Sequence, residues 1–163
     1  MVRAVPFDSS QLLSELAEGD YLCLDHAGQI TAAYPFSAAA TRHTVQITGG
    51  ASAYSMCAID ALGIASMLGT SARINSADPS TGEPIAIAVD GSSAVWEPDT
   101  AVVFVGRTAS TGEGPSASTC CGHMNFFTSQ TTAAAWASAH PLRSSAAFSA
   151  RGRRAVINGD VFR

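Results

Sequence analysis

The sequence predicts an α+β fold in which antiparallel hairpins surround one long buried helix. Short runs that alternate apolar and polar residues recur between turn residues, as at residues 41–48 and 84–89. A single apolar Gly/Ala/Ser-rich stretch, residues 53–68, reads as a helix covered on all sides. Neither an internal repeat nor an interdomain linker interrupts the 163 residues, a length that suits one domain.

The composition narrows the function classes. Charged residues make up 13% of the chain and the net charge is −4, so no electrostatic footprint for nucleic acid is present. Arg151, Arg153 and Arg154 form a basic cluster too short for a binding patch. No run of about eighteen apolar residues exists to span a membrane. The N-terminal residues lack the apolar stretch of a secretory signal, so a cytoplasmic location is expected, where thiols stay reduced. The four cysteines are then free thiols, metal ligands or catalytic groups rather than a disulfide framework.

Taken in order, Asp8 is a fitting N-cap for a helix over 9–18 that carries Leu12, Leu13 and Leu16 on one face and stops at Gly19. Residues 21–25 and 29–36 read as a hairpin around the turn His26-Ala27-Gly28, with Cys23 as a small buried residue. Residues 41–48 read as a half-buried strand, broken by Gly49-Gly50. The helix over 53–68 follows and closes at Gly69. Strands are expected over 71–75 and 84–89, joined by the turn Asp78-Pro79-Ser80-Thr81-Gly82, which Asp78 caps or solvates. Residues 94–96 and 101–105 read as extended. Residues 106–119, rich in Gly, Ser and Thr, read as a flexible loop. Residues 125–127 read as a strand, 131–140 as a helix with Trp136 inward, and 146–149 as a last strand. The end, 151–163, is ambiguous between helix and coil. Trp96, Phe126 and Phe127 fit core or pocket wall, and His26, His43 and His140 carry no distinguishing signal.

Two segments carry chemistry. In Cys57-Ala58-Ile59-Asp60 a thiol and a carboxylate sit at i and i+3 of the expected helix, on one face and about 5–6 Å apart at Cβ. The helix dipole is expected to lower the Cys57 thiol pKa, and Asp60 is placed to take its proton. In Ser118-Thr119-Cys120-Cys121-Gly122-His123 two more thiols follow the loop. A soft thiolate pair selects soft or borderline metals over calcium or magnesium. Cys57, Cys120, Cys121 and His123 also allow a structural zinc site, although the spaced Cys-x-x-Cys pairs usual for zinc are absent. His123 fits either a residue behind the thiols or a hydrogen-bonded structural histidine.

Met56-Cys57-Ala58-Ile59-Asp60-Ala61-Leu62-Gly63 and Cys120-Cys121-Gly122-His123-Met124-Asn125-Phe126-Phe127-Thr128-Ser129 resemble the two signature segments of alkylmercury lyase, the organomercurial lyase of bacterial mercury resistance. Arg73-Ile74-Asn75-Ser76, Thr81-Gly82, Pro84 and Trp136-Ala137-Ser138 agree in order and spacing. The resemblance implies a core of mixed or antiparallel sheet with a buried helix carrying Cys57 and Asp60. It implies a trimmed winged-helix-like part over residues 1–40, with the catalytic core over 41–163. It implies Cys57 and Cys120 as the mercury-holding and catalytic cysteines, Asp60 as the proton-handling carboxylate, and Cys121 as a weaker candidate ligand that otherwise packs the loop. The implied reaction is protonolysis of a carbon–mercury bond to a hydrocarbon and Hg(II), with no organic cofactor. The implied partners are an organomercurial, low-molecular-weight thiols and a mercuric reductase that accepts Hg(II).

Three features depart from the family pattern: the short region before Cys57, Met56 where an aromatic residue is common, and no cysteine at Ala77-Asp78-Pro79. Two other readings stay open beside the lyase. One is the same scaffold with a non-mercurial lyase or hydrolase substrate. The other is a soft-metal protein that binds mercury or copper without cleaving anything.

Overall fold

The computed structural model describes residues 9–108, 114–140 and 142–149. Asp8, the centre of the expected loop and the arginine cluster at 151–154 lie outside the described residues.

Helix α1 (Ser9–Glu18) opens the chain. It ends in hydrogen bonds from the Tyr21 amide to the Leu16 carbonyl and from the Asp20 amide to the Ala17 carbonyl. The left-handed residue of that cap is Asp20 (φ 57°), not glycine. Gly19 is needed for space instead, since a Cβ there would meet the Tyr21 ring at 2.8 Å.

Strands β1 (Leu22–Leu24), β2 (Ile30–Ala33), β3 (Phe36–Ser37), β4 (Thr44–Ile47) and β5 (Ser52–Ser55) precede helix α2 (Ala58–Leu68). Strands β6 (Ala72–Ala77), β7 (Pro84–Asp90) and β8 (Ser93–Glu97) follow it and complete an eight-stranded sheet of order β1-β2-β3-β5-β4-β6-β7-β8. A second sheet has β9 (Val102–Thr108) between β10 (Met124–Phe127) and β11 (Leu142–Ser149). Helices α3 (Ser116–Thr119) and α4 (Gln130–Ala139) lie on either side of β10 in sequence. Every described strand pairing is antiparallel.

Two expectations are corrected. The stretch 106–119, expected as a loop, is strand at its start, where β9 runs to Thr108 paired with β11, and helix at its end, in α3. The stretch expected to be helical from Ala53 begins as strand β5, and the helix starts only at Ala58. Residues 52–55 pair with β4 across Gly49-Gly50 and with β3 on the other side, so a strand satisfies their backbone on both edges. The hairpin at 22–37 is joined to the rest by the same pairing, Phe36 opposite Ser55 and Ser37 opposite Tyr54.

Helix α2 is the centre of the core. It touches strands of both sheets, and seven of its residues are buried, from Ala58 through Ala65 with only Ile59 partly exposed. Ala58, Ala61 and Ala65 let it approach the sheet closely, while Ile64 packs in one cluster with Val45, Ile74, Ile87 and Phe126. A helix apolar on every side has to be enclosed, and enclosure fixes where its N-terminus points. That end carries the chemistry.

Candidate active site

Cys57 stands where β5 gives way to α2. Its backbone is extended (φ −152°, ψ 177°), which makes it the N-cap and not a helical residue. Its carbonyl accepts the Ala61 amide at 3.0 Å, and its Sγ accepts the Asp60 amide at 3.4 Å. A sulfur thus fills the place normally taken by a Ser, Thr or Asp oxygen. The thiol faces Asp60 Oδ2 at 3.2 Å and Met124 Sδ at 3.8 Å. Both partners are buried, Cys57 at 2% and Asp60 at 7% exposure. Ser55 holds the backbone from behind, its Oγ donating to the Cys57 carbonyl at 3.1 Å.

The second segment arrives through the single turn of α3 and a 3-10 turn, Cys121–His123, that leads into β10. The sulfurs of Cys57 and Cys121 and a carboxylate oxygen of Asp60 all lie within 4.8 Å of one another. Cys120 is half-buried, and its thiol donates to the Ser116 carbonyl at 3.4 Å while lying against Cys121. Of the four residues singled out from the sequence, the structure therefore gathers Cys57, Asp60 and Cys121. It leaves Cys120 one position to the side. Neighbouring residues on a helical turn diverge by about 100°, so only one of the adjacent thiols can face α2 at a time.

The electrostatics make the cluster a shared proton store. The Cys57 thiol is pushed far above its ordinary range, first by its hydrogen bond to Cys121, then by burial and the Asp60 charge. Cys121 is drawn down by its hydrogen-bonding contact with Cys57, against burial and Asp60. Burial raises Asp60, and its hydrogen bonds from Cys57 only partly offset this. Burial likewise raises Cys120. The expected lowering of Cys57 by the helix dipole is thus reversed. A donated hydrogen bond, an apolar enclosure and a neighbouring carboxylate together exceed the dipole of one helix end. The arrangement offers one ready sulfur, a second sulfur that still holds a proton, and a carboxyl that can relay it.

Several other expectations find their places. His43 is 2% exposed, with Nδ1 2.9 Å from Ser76 Oγ and a hydrogen bond to Asn125. Asn125 Nδ2 donates to the Gly122 carbonyl at 3.1 Å, so this buried pair braces the turn that carries Cys121. Sequence reasoning missed that link, although the alternation in residues 41–48 did place His43 inside the strand pattern. His123 has a buried Nδ1 without a hydrogen-bond partner among the described residues, and its ring lies 6.2 Å from Trp136. His140 stacks on Trp136 at 3.8 Å, and His26 sits exposed in its turn. Of the two roles expected of Asp78, it caps its turn, accepting the Ser80 amide at 2.8 Å, and it is not solvated but 1% exposed, accepting also from Thr128. Cys23 is half-buried, 3.5 Å from Tyr34 Oη.

A family model described as alkylmercury lyase matches residues 36–154. The alkylmercury lyase of Pseudomonas putida is 35% identical over 102 residues, covering 62% of this chain and 47% of that protein. That of Bacillus cereus is 36% identical over 94 residues, covering 56% of this chain and 42% of that protein. The chain therefore spans about half the length of the curated relatives it matches. A solved structure titled as the mercury-bound form of MerB2 superposes with a TM-score of 0.71 at 24% identity, covering 85% of this chain and 66% of that one. That likeness agrees with the α+β architecture.

Proposed function

Since the chain belongs to the alkylmercury lyase family, we propose that it is an organomercurial lyase whose buried thiols and carboxylate cleave the carbon–mercury bond by protonolysis. The observation that carries this reading is the convergence of Cys57, Asp60 and Cys121 within 4.8 Å. Each atom needed is then at hand: sulfurs to hold a soft metal and a proton within reach of the carbon bonded to it.

The reaction balances as R–Hg–X plus two cysteine thiols giving R–H, an Hg(II) bis-thiolate and HX. The readier thiol displaces X from mercury, and the proton that thiol releases leaves with X. Cys57 then binds, and its proton passes to Asp60, 3.2 Å away. Two sulfur donors raise electron density on mercury and weaken the C–Hg bond. The electron pair of that bond goes to carbon, which takes the proton from Asp60. Burial supports both steps, because raising the Asp60 pKa strengthens the carboxylate as the acceptor of the Cys57 proton and leaves that proton on Asp60 until carbon takes it.

The second sulfur comes from the Cys120-Cys121 pair. Cys121 faces Cys57 in the resting arrangement, and Cys120 is the thiol that the motif register assigns. Mercury(II) is then passed to low-molecular-weight thiols or to a mercuric reductase. All four cysteines are free, which suits a reducing cytoplasm. No described helix is long and apolar enough to cross a membrane.

The test is headspace gas chromatography after incubation with methylmercury and excess thiol. Methane release that is lost in Cys57→Ser, in Asp60→Ala and in the double Cys120→Ser/Cys121→Ser protein is the expected result. The single Cys120→Ser and Cys121→Ser proteins then tell which sulfur completes the pair. Stoichiometric mercury binding with no hydrocarbon from the wild type overturns the lyase reading in favour of a soft-metal binding protein.

A further inference from the structure

Helix α3 is a single turn, far too short to hold itself. Its first amides have no partner within the helix, yet they are not left to water. Both carboxylate oxygens of Asp20 accept the Ser116 amide, at 3.2 and 3.1 Å, and Oδ2 also accepts the Ser116 hydroxyl at 2.6 Å. The Tyr34 hydroxyl accepts the Ala117 amide at 2.7 Å. These acceptors lie 96 and 83 positions earlier in the chain.

The grip propagates to the thiols. The Cys120 amide donates to the Ser116 carbonyl at 3.0 Å, and the His123 amide donates to the Cys120 carbonyl at 2.9 Å. Whatever holds Ser116 therefore holds the turn that aims Cys121. The residue after Tyr34 reaches the other thiol segment, since the Pro35 carbonyl accepts the Met56 amide at 3.0 Å, one residue before Cys57. Tyr34 and Pro35 thus touch both sulfur-bearing segments at once. Asp20 reaches Ser116 from the left-handed residue that ends α1, with φ 57°. Tyr34 is kept a neutral phenol, its pKa pushed up by burial, by the Cys23 contact and by the Asp20 charge. Asp20 and Tyr34 both precede the segment matched by the family model, which begins at residue 36.

We propose that Asp20 and Tyr34 are positioning residues for the reaction, forming with Pro35 a bracket that sets the Cys120-Cys121 turn against Cys57. This rests on the lyase reading of the thiol cluster and extends it to residues 20–35. The N-terminal hairpin is, on this reading, part of the active site's frame.

The experiment compares Asp20→Ala, Asp20→Asn, Tyr34→Phe and a remote control, Ser71→Ala, by residue-resolved alkylation of the native protein. Loss of one side-chain acceptor at a helix start is expected to speed alkylation of Cys120 and Cys121 about fivefold in Asp20→Ala and Tyr34→Phe. Asp20→Asn keeps an oxygen acceptor and is expected to restore most of the wild-type rate. In the methylmercury assay the bracket variants are expected to lose about 10- to 100-fold in kcat while KM stays within about twofold, as misplacement of a reacting group does. Rates at Cys120 and Cys121 equal to wild type in the folded variants overturn the proposal. So does an equal acceleration of all four cysteines, which reports loosening of the whole fold. Should Asp20→Ala not fold, Tyr34→Phe and Ser116→Ala decide by the same criterion. A wild type that releases no methane refutes the lyase reading, while the alkylation pattern still judges the bracket.

Discussion

Cys57 and Cys121 share a hydrogen bond that splits their acidities, and this split is open to measurement. Cys121 is lowered by its hydrogen-bonding contact with Cys57, and Cys57 is raised by the same contact. Alkylation of Cys121 should therefore begin at lower pH than that of Cys57. In Cys57→Ala the Cys121 profile should move to higher pH, because that contact is gone while burial and Asp60 remain. Residue-resolved mass spectrometry across a pH series reads both, and coincident profiles in the wild type refute the assignment. His43 offers a second test. Burial first, and the Arg42 charge next, lower its pKa from 6.5 to about 4. A depressed histidine favours the fold in its neutral form, so its contribution is complete above about pH 6.5 and is lost as pH falls through about 4. Between pH 7 and 5 it should cost about 2 kcal/mol of unfolding free energy in urea titrations. His43→Gln should flatten that dependence.

The elements carry their own instructions. Helix α4 begins with a reciprocal cap in which Ser129 Oγ accepts the Thr132 amide at 3.1 Å and Thr132 Oγ1 accepts the Ser129 amide at 3.2 Å. Ser129→Ala should lower stability by about 1 kcal/mol, read as a fall in thermal midpoint with the circular dichroism unchanged. Helix α2 ends at Gly69, φ 62°, as its sequence announces. Its beginning is different. Residues 52–55 have small side chains that suit either state, and a strand was selected by partners on β3 and β4. The consequence reaches the chemistry, since it makes Cys57 a cap whose sulfur faces Asp60 and not one more residue along a helix face.

Across the whole molecule, Asp78 ties the two sheets together. From the β6–β7 turn its Oδ2 accepts the Thr128 amide at 2.8 Å and the Thr128 hydroxyl at 3.0 Å, at the junction of β10 and α4. Burial alone would raise its pKa, but the hydrogen bonds from Thr128 and Ser80 outweigh it and the net shift is downward. A depressed carboxylate contributes stability above its unfolded value of about 3.9, and loses it as pH falls through the folded one. Asp78→Asn should cost about 2–4 kcal/mol at pH 7, and the gap to wild type should close in acid below that range. Urea unfolding at pH 7 and pH 3 checks this; a gap that persists unchanged at pH 3 refutes it. Since β10 follows directly from the thiol turn, this tie and the His43–Asn125 brace steady the same segment from two sides.

Local pattern was enough for the α+β class, for the extent of α1, for the strands read at 84–89 and 125–127, each one residue short of its observed extent, and for the pairing of Cys57 with Asp60. Each of these depends on residues within about one turn or one strand of one another, where periodicity and capping act directly. The family's two motifs, 120 − 57 = 63 positions apart, were equally visible in the order of residues. Which of two adjacent thiols faces α2 was decided only in three dimensions, because neighbouring side chains on a turn point apart and the choice falls to whatever fixes the turn. In this protein that is Asp20 and Tyr34 on one side and His43 and Asn125 on the other. The acidity of Cys57 was decided in the same way. A helix dipole is written in the chain, whereas the sulfur, the carboxylate and the burial that overrule it exist only once distant segments meet.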